Sequence, residues 1–244
     1  MSELTNSQII MEKIIKEEAA EQGVVFSDYF ELYTASQILK DYDVTYSDIE
    51  YSIVGDGGDG GIDSFYTFLN GELIKEDTDY SKSGKHNKIE VVIIQSKTSK
   101  KFGEDAIVKF NEVARDLFNI SSDIGGDSLK VRYNDDLRGR VSIFRDVYSN
   151  LMKSFPDLSF SFYYSTLGEE VHPNVIGKVT PLQDTILRMF TGSKFPLDFV
   201  GAGILVELTR KVKSPSRMMG LAESPIATPT GSYFCLFNLK KFYN

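Results

Sequence analysis

The sequence predicts an α/β (α+β) protein in which a mixed β-sheet is flanked by helices. Strand-like runs and amphipathic helical stretches alternate along its 244 residues, and no internal repeat or low-complexity tract interrupts them. One run, Ile89–Gln95, is nearly continuous in β-branched residues, which is typical of a central strand buried on both faces. A composition of 41% apolar and 25% charged residues is ordinary for a globular chain.

The N-terminal part predicts two helices over residues 6–40. Isoleucines recur at near-helical spacing in the first helix, Gly23 marks a break, and Ser27 is the expected cap of the second helix. Residues 49–54 read as a short strand. This strand leads into GDGGDGGID, where five glycines in nine residues favour a tight turn that only permissive backbones adopt.

The next segment predicts a hairpin followed by the central strand. A strand is expected over residues 63–69, and Asn70-Gly71 is a strong signal for a two-residue turn. A polar, basic loop then precedes the central strand at 89–95. The apolar residues of 104–118 fall on one face at helical spacing, so this segment predicts an amphipathic helix that returns over the sheet.

The second half of the chain adds further helices and strands. A polar segment over 121–135 separates the preceding helix from the elements that follow. We expect helices at 137–155, 179–191 and 201–211, and strands at 158–164, 217–222 and 231–239.

Charge and cysteine content exclude several classes of protein. The net charge of -8 argues against coating nucleic acid through bulk positive charge. The single cysteine, Cys235, excludes an intramolecular disulfide and a thiolate-rich zinc site. No apolar run approaches the roughly 18–20 residues that span a bilayer, which predicts no membrane association. Because no secretory signal is visible either, a cytoplasmic location is the default expectation.

Positive charge is concentrated around the central strand. Between residues 82 and 101 there are six lysines and one acid, and such a local field can steer a polyanion into a cleft. The alternative is that these lysines simply decorate solvated loops. The candidates for nucleic-acid binding are Lys82, Lys85, Lys88, Lys100 and Lys101.

One constellation of residues suits phosphodiester cleavage. Asp63 stands at the start of one strand, and Gln95 and Lys97 close the next, where a period of two directs both side chains to one face. A hard divalent ion takes a few oxygen ligands. Asp63 can supply one, the side-chain oxygen of Gln95 or the main-chain carbonyl of Ser96 another, and Glu31 can complete the acidic set. An ammonium beside it, that of Lys97, can orient water or stabilise developing charge.

The same residues carry a resemblance to a known family. Phe30-Glu31 on a helix, then GGID ending at Asp63, then VVIIQSK ending at Lys97, resembles the Mrr-like branch of the PD-(D/E)XK nuclease superfamily. More narrowly, DGGIDSFYTFLNGELI and IIQSKTSKKFGEDAIVKF resemble the N-terminal region of the abortive-infection phage-resistance (AIPR) family. The resemblance implies a restriction-endonuclease-like core with Asp63, Gln95 and Lys97 at the catalytic centre and Glu31 as the helical acid.

The resulting hypothesis is a nuclease dependent on Mg²⁺ or Mn²⁺ that acts on DNA in bacterial antiphage defence. We expect a nuclease-like core over residues 1–168 and a C-terminal extension over 169–244 that packs on it. Double-strand cleavage would need two sites, which predicts a homodimer. Two alternatives stay open: cleavage of RNA, and a catalytically silent nuclease-fold module that binds nucleic acid or a phage component.

The aromatic, apolar end of the chain has two interpretations. Residues 233–239 read YFCLFNL, whereas natural termini are usually polar and loosely held. One interpretation is that a longer protein continues beyond residue 244 and covers this edge. The other is a C-terminal strand that belongs to its own sheet.

Other patterns in the glycine-rich tract are weaker. Gly55, Gly57 and Gly60 match a dinucleotide-binding spacing, but a strand rather than a helix follows them. Asp56 and Asp59 lack the spacing of a calcium loop and are expected to form turns. Three aromatic residues in loop-like contexts can stack on bases, although a place in the core or on the surface is the alternative for each: Tyr80, Phe102 and Tyr133.

Overall fold

A computed structural model describes residues 3–55, 57–79, 86–212, 222–228 and 233–236. Its helices are α1 (Asn6–Gln22), α2 (Phe26–Ile38), α3 (Tyr46–Tyr51), α4 (Glu104–Leu117), α5 (Asp127–Arg132), α6 (Asp135–Leu151), α7 (Pro173–Gly177), α8 (Val179–Met189) and α9 (Ala202–Arg210). Its strands are β1 (Ser64–Leu69), β2 (Glu72–Leu73), β3 (Lys88–Lys97), β4 (Asp157–Thr166), β5 (Leu197–Val200), β6 (Ile226–Ala227) and β7 (Tyr233–Phe234).

The predicted mixed sheet flanked by helices is confirmed. Five strands form one sheet in the order β2-β1-β3-β4-β5, and β6 pairs separately with β7. β1 runs antiparallel to β2 and β3, whereas β4 runs parallel to β3 and β5. The turn at Asn70-Gly71 joins β1 to β2 as predicted, with both residues at positive φ.

Both faces of the central strand β3 are buried, which explains its β-branched composition. Ile89, Val91 and Ile93 belong to a core that includes apolar residues of α4, α6 and α8. Val92 and Ile94 point into a second core built with α2 and α3. A polar substitution on either face would therefore lie in an apolar environment.

The predicted strand at 49–54 is wrong. The first half of this segment, residues 49–51, lies in α3, which begins at a capping box in which Thr45 and Asp48 each bind the other's backbone N–H. This box satisfies orphan donors of the first turn, so the local signal for a helix outweighs the β-branched residues. Only Ile53 keeps a strand-like contact, an isolated antiparallel bridge to Ser64.

The two N-terminal helices were predicted correctly, but one cap was not. Gly23 ends α1 in the left-handed region at φ 67°, which confirms the break at this glycine. α2 begins two residues earlier than expected, with Val25 as the N-cap residue, so Ser27 lies in the first turn instead of capping it.

Several later elements were predicted only in part. α6 ends at Leu151, and a short 3-10 helix, Met152–Ser154, continues the predicted helix to residue 154, one residue short of its expected end. The polar segment at 121–135 contains α5, and the chain before and after α8 contains α7 and β5, none of which was expected. Of the two last predicted strands, residues 217–221, 231–232 and 237–239 lie outside the described residues, as does the end of the chain; Tyr233–Phe234 is a strand.

Elements after residue 168 pack on those before it. β5 extends the sheet beside β4, α8 packs on α4, and α9 packs on α1 and α2. The division at residue 168 itself stays a prediction. Across the described ranges, no helix combines the length and apolar character needed to cross a bilayer.

An aromatic cluster fills the core beneath α6. Phe144 is fully buried, and its ring centroid lies 5.4 Å from that of Phe160, 5.7 Å from Phe190 and 5.8 Å from Phe118. Edge-on contacts of this kind add to the burial of apolar area, so Phe144 ties α6 to the sheet and to α8.

We predict that Phe144→Ala lowers the free energy of unfolding by about 3–5 kcal/mol, because it removes a fully buried ring and leaves a cavity. Urea denaturation followed by circular dichroism measures the change. Val131→Ala, at a side chain that is 87% exposed, is the control and should leave the midpoint unchanged. A loss below about 1 kcal/mol for Phe144→Ala would contradict the assigned packing.

Candidate active site

The antiparallel register of β1 on β3 brings the predicted site residues together. Ser64 lies opposite Ile94, so the residue before β1 meets the end of β3. The Asp63 N–H donates to the Ile94 carbonyl at 3.0 Å, which continues the ladder by one step. Asp63, Gln95 and Lys97 are thus neighbours although Asp63 lies far from the other two in sequence.

Asp63 is a buried carboxylate. It is 9% exposed, and its Oδ2 accepts a short hydrogen bond from the Ser96 backbone N–H. Burial raises the pKa of the Asp63 carboxyl well above the ordinary value, and the nearby Glu31 carboxylate raises it further. The Ser96 hydrogen bond and the Lys97 ammonium act in the opposite direction without cancelling the effect of burial.

Gln95 contributes a buried oxygen with no partner. Its side chain is 3% exposed, and Oε1 has no hydrogen-bond donor within reach among the described residues. An unsatisfied amide oxygen in such a position is costly, on the order of 1–3 kcal/mol. The hydroxyl of the adjacent Ser96, and several buried polar atoms elsewhere among the described residues, also have no hydrogen-bond partner. The Gln95 oxygen is available to a ligand that brings its own positive charge.

Lys97 is held in an ion pair. Its Nζ contacts Oδ2 of Asp105, in the first turn of α4, and this contact lowers the pKa of the Asp105 carboxyl. The Lys97 side chain is partly buried, whereas that of Asp105 is mostly exposed. The Lys97 ammonium therefore contacts an exposed carboxylate, Asp105, and also acts electrostatically on a buried one, Asp63.

Glu31 reaches the site from α2. Its carboxylate acts electrostatically on Asp63, and its Oε2 lies 3.9 Å from where a Cβ on Gly55 would stand. Glu31 also lines a cleft of about 430 Å³ whose other charged lining residues are all acidic: Asp28, Glu50, Asp59 and Asp136. The cleft beside Glu31 is consequently negatively charged, so it attracts a cation and repels a phosphate that carries no bound cation.

The glycine-rich turn is tightly packed where it passes the site. Gly60 and Gly61 have φ of 61° and 73°. A Cβ on Gly60 would lie 2.4 Å from Val113, and one on Gly61 would lie 2.5 Å from Lys109 Cδ and 3.0 Å from Gln95 Nε2. Glycine is thus required here both for its backbone conformation and for the close approach.

The predicted nucleic-acid-binding lysines are spread over the molecule. Lys88 pairs with Glu90 at the start of β3, roughly 30 Å along the strand from Lys97. Lys100 and Lys101 follow the other end of β3, and Lys100 pairs with Glu12 at 3.1 Å. Lys82 and Lys85 lie outside the described residues.

The structure adds two residues of α4 to the site. Asp105 binds Lys97, and the stem of Lys109, one helical turn later, lies across Gly61. Their spacing of four on a helix that follows the Gln-x-Lys strand is a signal that could have indicated them. Two aromatic candidates for base stacking, Phe102 and Tyr133, are instead buried in the core, at 6% and 4% exposure. Tyr80 is outside the described residues.

The site is not a ready-made cage for a metal ion. Within the part of the chain that the structure describes, no three His, Cys, Asp or Glu side chains are grouped closely enough to hold one. Comparison of the chain with family models, with characterised proteins and with solved structures found no match. The chemistry of the site therefore has to be argued from its own residues.

We predict that Asp63→Asn stabilises the metal-free protein increasingly as the pH rises. The pKa of Asp63 is raised in the folded state, so the protonated carboxyl favours folding. This contribution to the free energy of unfolding is fully present below the ordinary aspartate pKa and is lost as the pH rises through the raised pKa. The neutral amide avoids this loss, and the difference grows by at most about 1.4 kcal/mol per pH unit.

Urea unfolding in EDTA, from about pH 4 to about pH 8, measures this difference. Asp184→Asn, at an exposed position on α8, is the matched control and should track the wild type at every pH. An Asp63→Asn variant that is no more stable than the wild type at neutral pH would contradict a destabilised carboxylate.

Proposed function

We propose that the chain is a metal-dependent phosphodiesterase, endonuclease-like, that acts on DNA. One observation carries the proposal: a desolvated carboxylate, Asp63, lies beside the unpartnered Oε1 of Gln95 at the end of a central strand that Lys97 closes. A buried carboxyl with a raised pKa next to an orphan oxygen is unfavourable for folding alone. Such arrangements are concentrated at functional sites.

The donor set fits a hard divalent ion such as Mg²⁺ or Mn²⁺. Mg²⁺ is held by one or two carboxylates and retains several waters, so it does not require three acidic residues. Asp63 and Glu31 would hold it, with Gln95 Oε1 and the main-chain carbonyl of Ser96 as the neutral oxygens. When bound, the ion supplies Lewis-acid activation of water and neutralises phosphate charge.

The protein's own residues would orient and neutralise the substrate. The Lys97 ammonium, close enough to act electrostatically on Asp63, would contact the scissile phosphate and stabilise the charge that develops on it. Asp105 would keep this ammonium in place between turnovers. Lys109, whose stem crosses Gly61, would offer a second positive charge at the same edge.

The resemblance stated above extends the proposal to fold family and setting. On that basis the sheet and its flanking helices would correspond to a PD-(D/E)XK nuclease core of the Mrr-like branch. The role would be abortive-infection antiphage defence in the cytoplasm, and a homodimer would supply the two sites needed to cut both strands. RNA is the alternative substrate, since 2′-hydroxyl contacts decide between the two nucleic acids.

A second candidate is a catalytically silent module that kept the site for binding. The acidic cleft favours it, because Asp28, Glu50 and Asp136 would repel a nucleic-acid backbone approaching from that side. In this case the chain would bind a phage component, or nucleic acid, without cleaving it.

We predict that purified protein cleaves plasmid or linear DNA in Mg²⁺ or Mn²⁺ and that EDTA abolishes cleavage. Asp63→Ala removes the charged metal ligand and Lys97→Ala removes the ammonium, so each should reduce the cleavage rate by about a hundredfold or more. Gel analysis of plasmid, linear DNA and RNA, run in parallel, measures the rates and identifies the substrate.

Lys153→Ala is the matched control for Lys97→Ala. Lys153 is exposed and precedes β4, whose start lies beside Lys88 at the opposite end of the sheet from Lys97. This variant should cleave at the wild-type rate. Undiminished cleavage by Asp63→Ala or Lys97→Ala would reject the assigned site. Binding without cleavage by the wild type would favour the silent module.

We predict that Lys101→Ala and the double change Lys100→Ala, Lys101→Ala weaken DNA binding several-fold and reduce its dependence on salt, because each lysine that contacts phosphate releases counterions. Lys88→Ala should have little effect, since Lys88 lies at the opposite end of β3 from Lys97. Fluorescence anisotropy at several salt concentrations tests this. Equal losses for all three variants would mean that DNA does not approach from the end of β3 that carries Lys97.

A further inference from the structure

The side chain of Asn134, the N-cap residue of α6, forms hydrogen bonds with α6 through its oxygen and with the glycine-rich turn through its nitrogen. Its Oδ1 accepts the Leu137 N–H at 2.8 Å, which caps the helix. Its Nδ2 donates to three main-chain carbonyls, those of Val54 at 2.8 Å, Gly55 at 3.0 Å and Gly57 at 3.1 Å. A cap alone needs only the oxygen, so the amide nitrogen serves the glycine-rich turn.

The backbone of Asn134 continues the same connection. Its N–H donates to the Gly58 carbonyl at 2.7 Å, and a Cβ on Gly58 would lie 3.2 Å from that nitrogen. Gly58, at φ 67°, is therefore held against the start of α6. Asn134 thus holds Val54, Gly55, Gly57 and Gly58, on the approach to Asp63.

Val54 connects Asn134 to Asp63 through backbone hydrogen bonds. Its carbonyl accepts from Asn134, and its N–H donates to the Asp63 carbonyl at 2.9 Å. Asp63 in turn donates its own N–H to Ile94 on β3. The backbone of Asp63 is consequently tied on one side to the central strand and on the other, through Val54, to Asn134.

We propose that Asn134 is a positioning residue for the candidate active site: its amide group holds the glycine-rich turn so that the Asp63 carboxylate stays beside Ser96 and Gln95. The turn contains several glycines at positive φ, whose backbone freedom must be limited if the carboxylate is to keep one position. Asn134 supplies this limit from the N-cap position of α6.

The test separates the two tasks of Asn134. In Asn134→Asp and Asn134→Ser the side-chain oxygen still caps α6, but no amide hydrogen remains for the three carbonyls. Hydrogen–deuterium exchange, read by mass spectrometry, should then be about tenfold or more faster over residues 57–63 and unchanged over α6, because several hydrogen bonds to the turn are lost. Asn150→Asp, the same substitution at an exposed position of α6, is the matched control and should change neither region.

Two exchange results would overturn the proposal. Unchanged exchange over residues 57–63 in both variants would mean that the amide does not hold the turn. An equal rise over the turn and over α6 would mean that Asn134 contributes only to the stability of the whole protein. Neither result depends on whether the protein cleaves DNA.

The catalytic part of this inference rests on the nuclease function proposed above. Given cleavage by the wild type, Asn134→Asp should need about tenfold more Mg²⁺ for half-maximal rate, because a displaced Asp63 binds the ion less well. Asn150→Asp should keep the wild-type Mg²⁺ dependence. A wild-type Mg²⁺ response in Asn134→Asp would overturn the link to the site. Absence of cleavage by the wild type would instead reject the nuclease function and leave the exchange result to decide the role of Asn134.

Discussion

The pairing of β1 with β3 is the constraint on which the candidate site depends. Their register is fixed by alternate side chains: Phe65 packs into the core under α4, and Tyr66 and Phe68 pack into the core under α2 and α3. A shift by one residue would exchange the two sets between faces and is strongly disfavoured. Apolar packing, rather than attraction between polar groups, therefore brings the Asp63 carboxylate to the end of β3.

The polar groups of the candidate site reduce the stability of the fold. The buried Asp63 carboxyl and the orphan oxygen of Gln95 both lose hydration, and only part of that loss is compensated by the Ser96 hydrogen bond and by Lys97. The surrounding apolar and aromatic core offsets the remainder. Natural sequences keep local conflicts of this kind chiefly where they serve a function, which is why the conflict supports an active site more strongly than any single residue does.

Much of the fold could be predicted from residue patterns, because β3, the Asn70-Gly71 turn and α4 each carry a strong periodic or turn signal. The proximity of Asp63, Gln95 and Lys97 was also predictable from strand order. α3 was missed because its capping box competes with β-branched residues, and β5 because its four residues gain their structure from pairing with β4. The roles of Asp105 and Asn134 depend on tertiary contacts that no local pattern records.

The parallel pairing of β3 with β4 has a consequence for the order in which the protein assembles. Only β2 and the residues that follow it separate β1 from β3 in the chain. In contrast, Ile89 of β3 meets Leu158 of β4 only after α4, α5 and α6 have been placed between them. Contacts that close long loops form late, since their entropic cost precedes their benefit. During synthesis β1 and β3 emerge first and can pair early. The edge of β3 that later pairs with β4 stays exposed until β4 has been made. The chain is therefore most prone to aggregation during this interval.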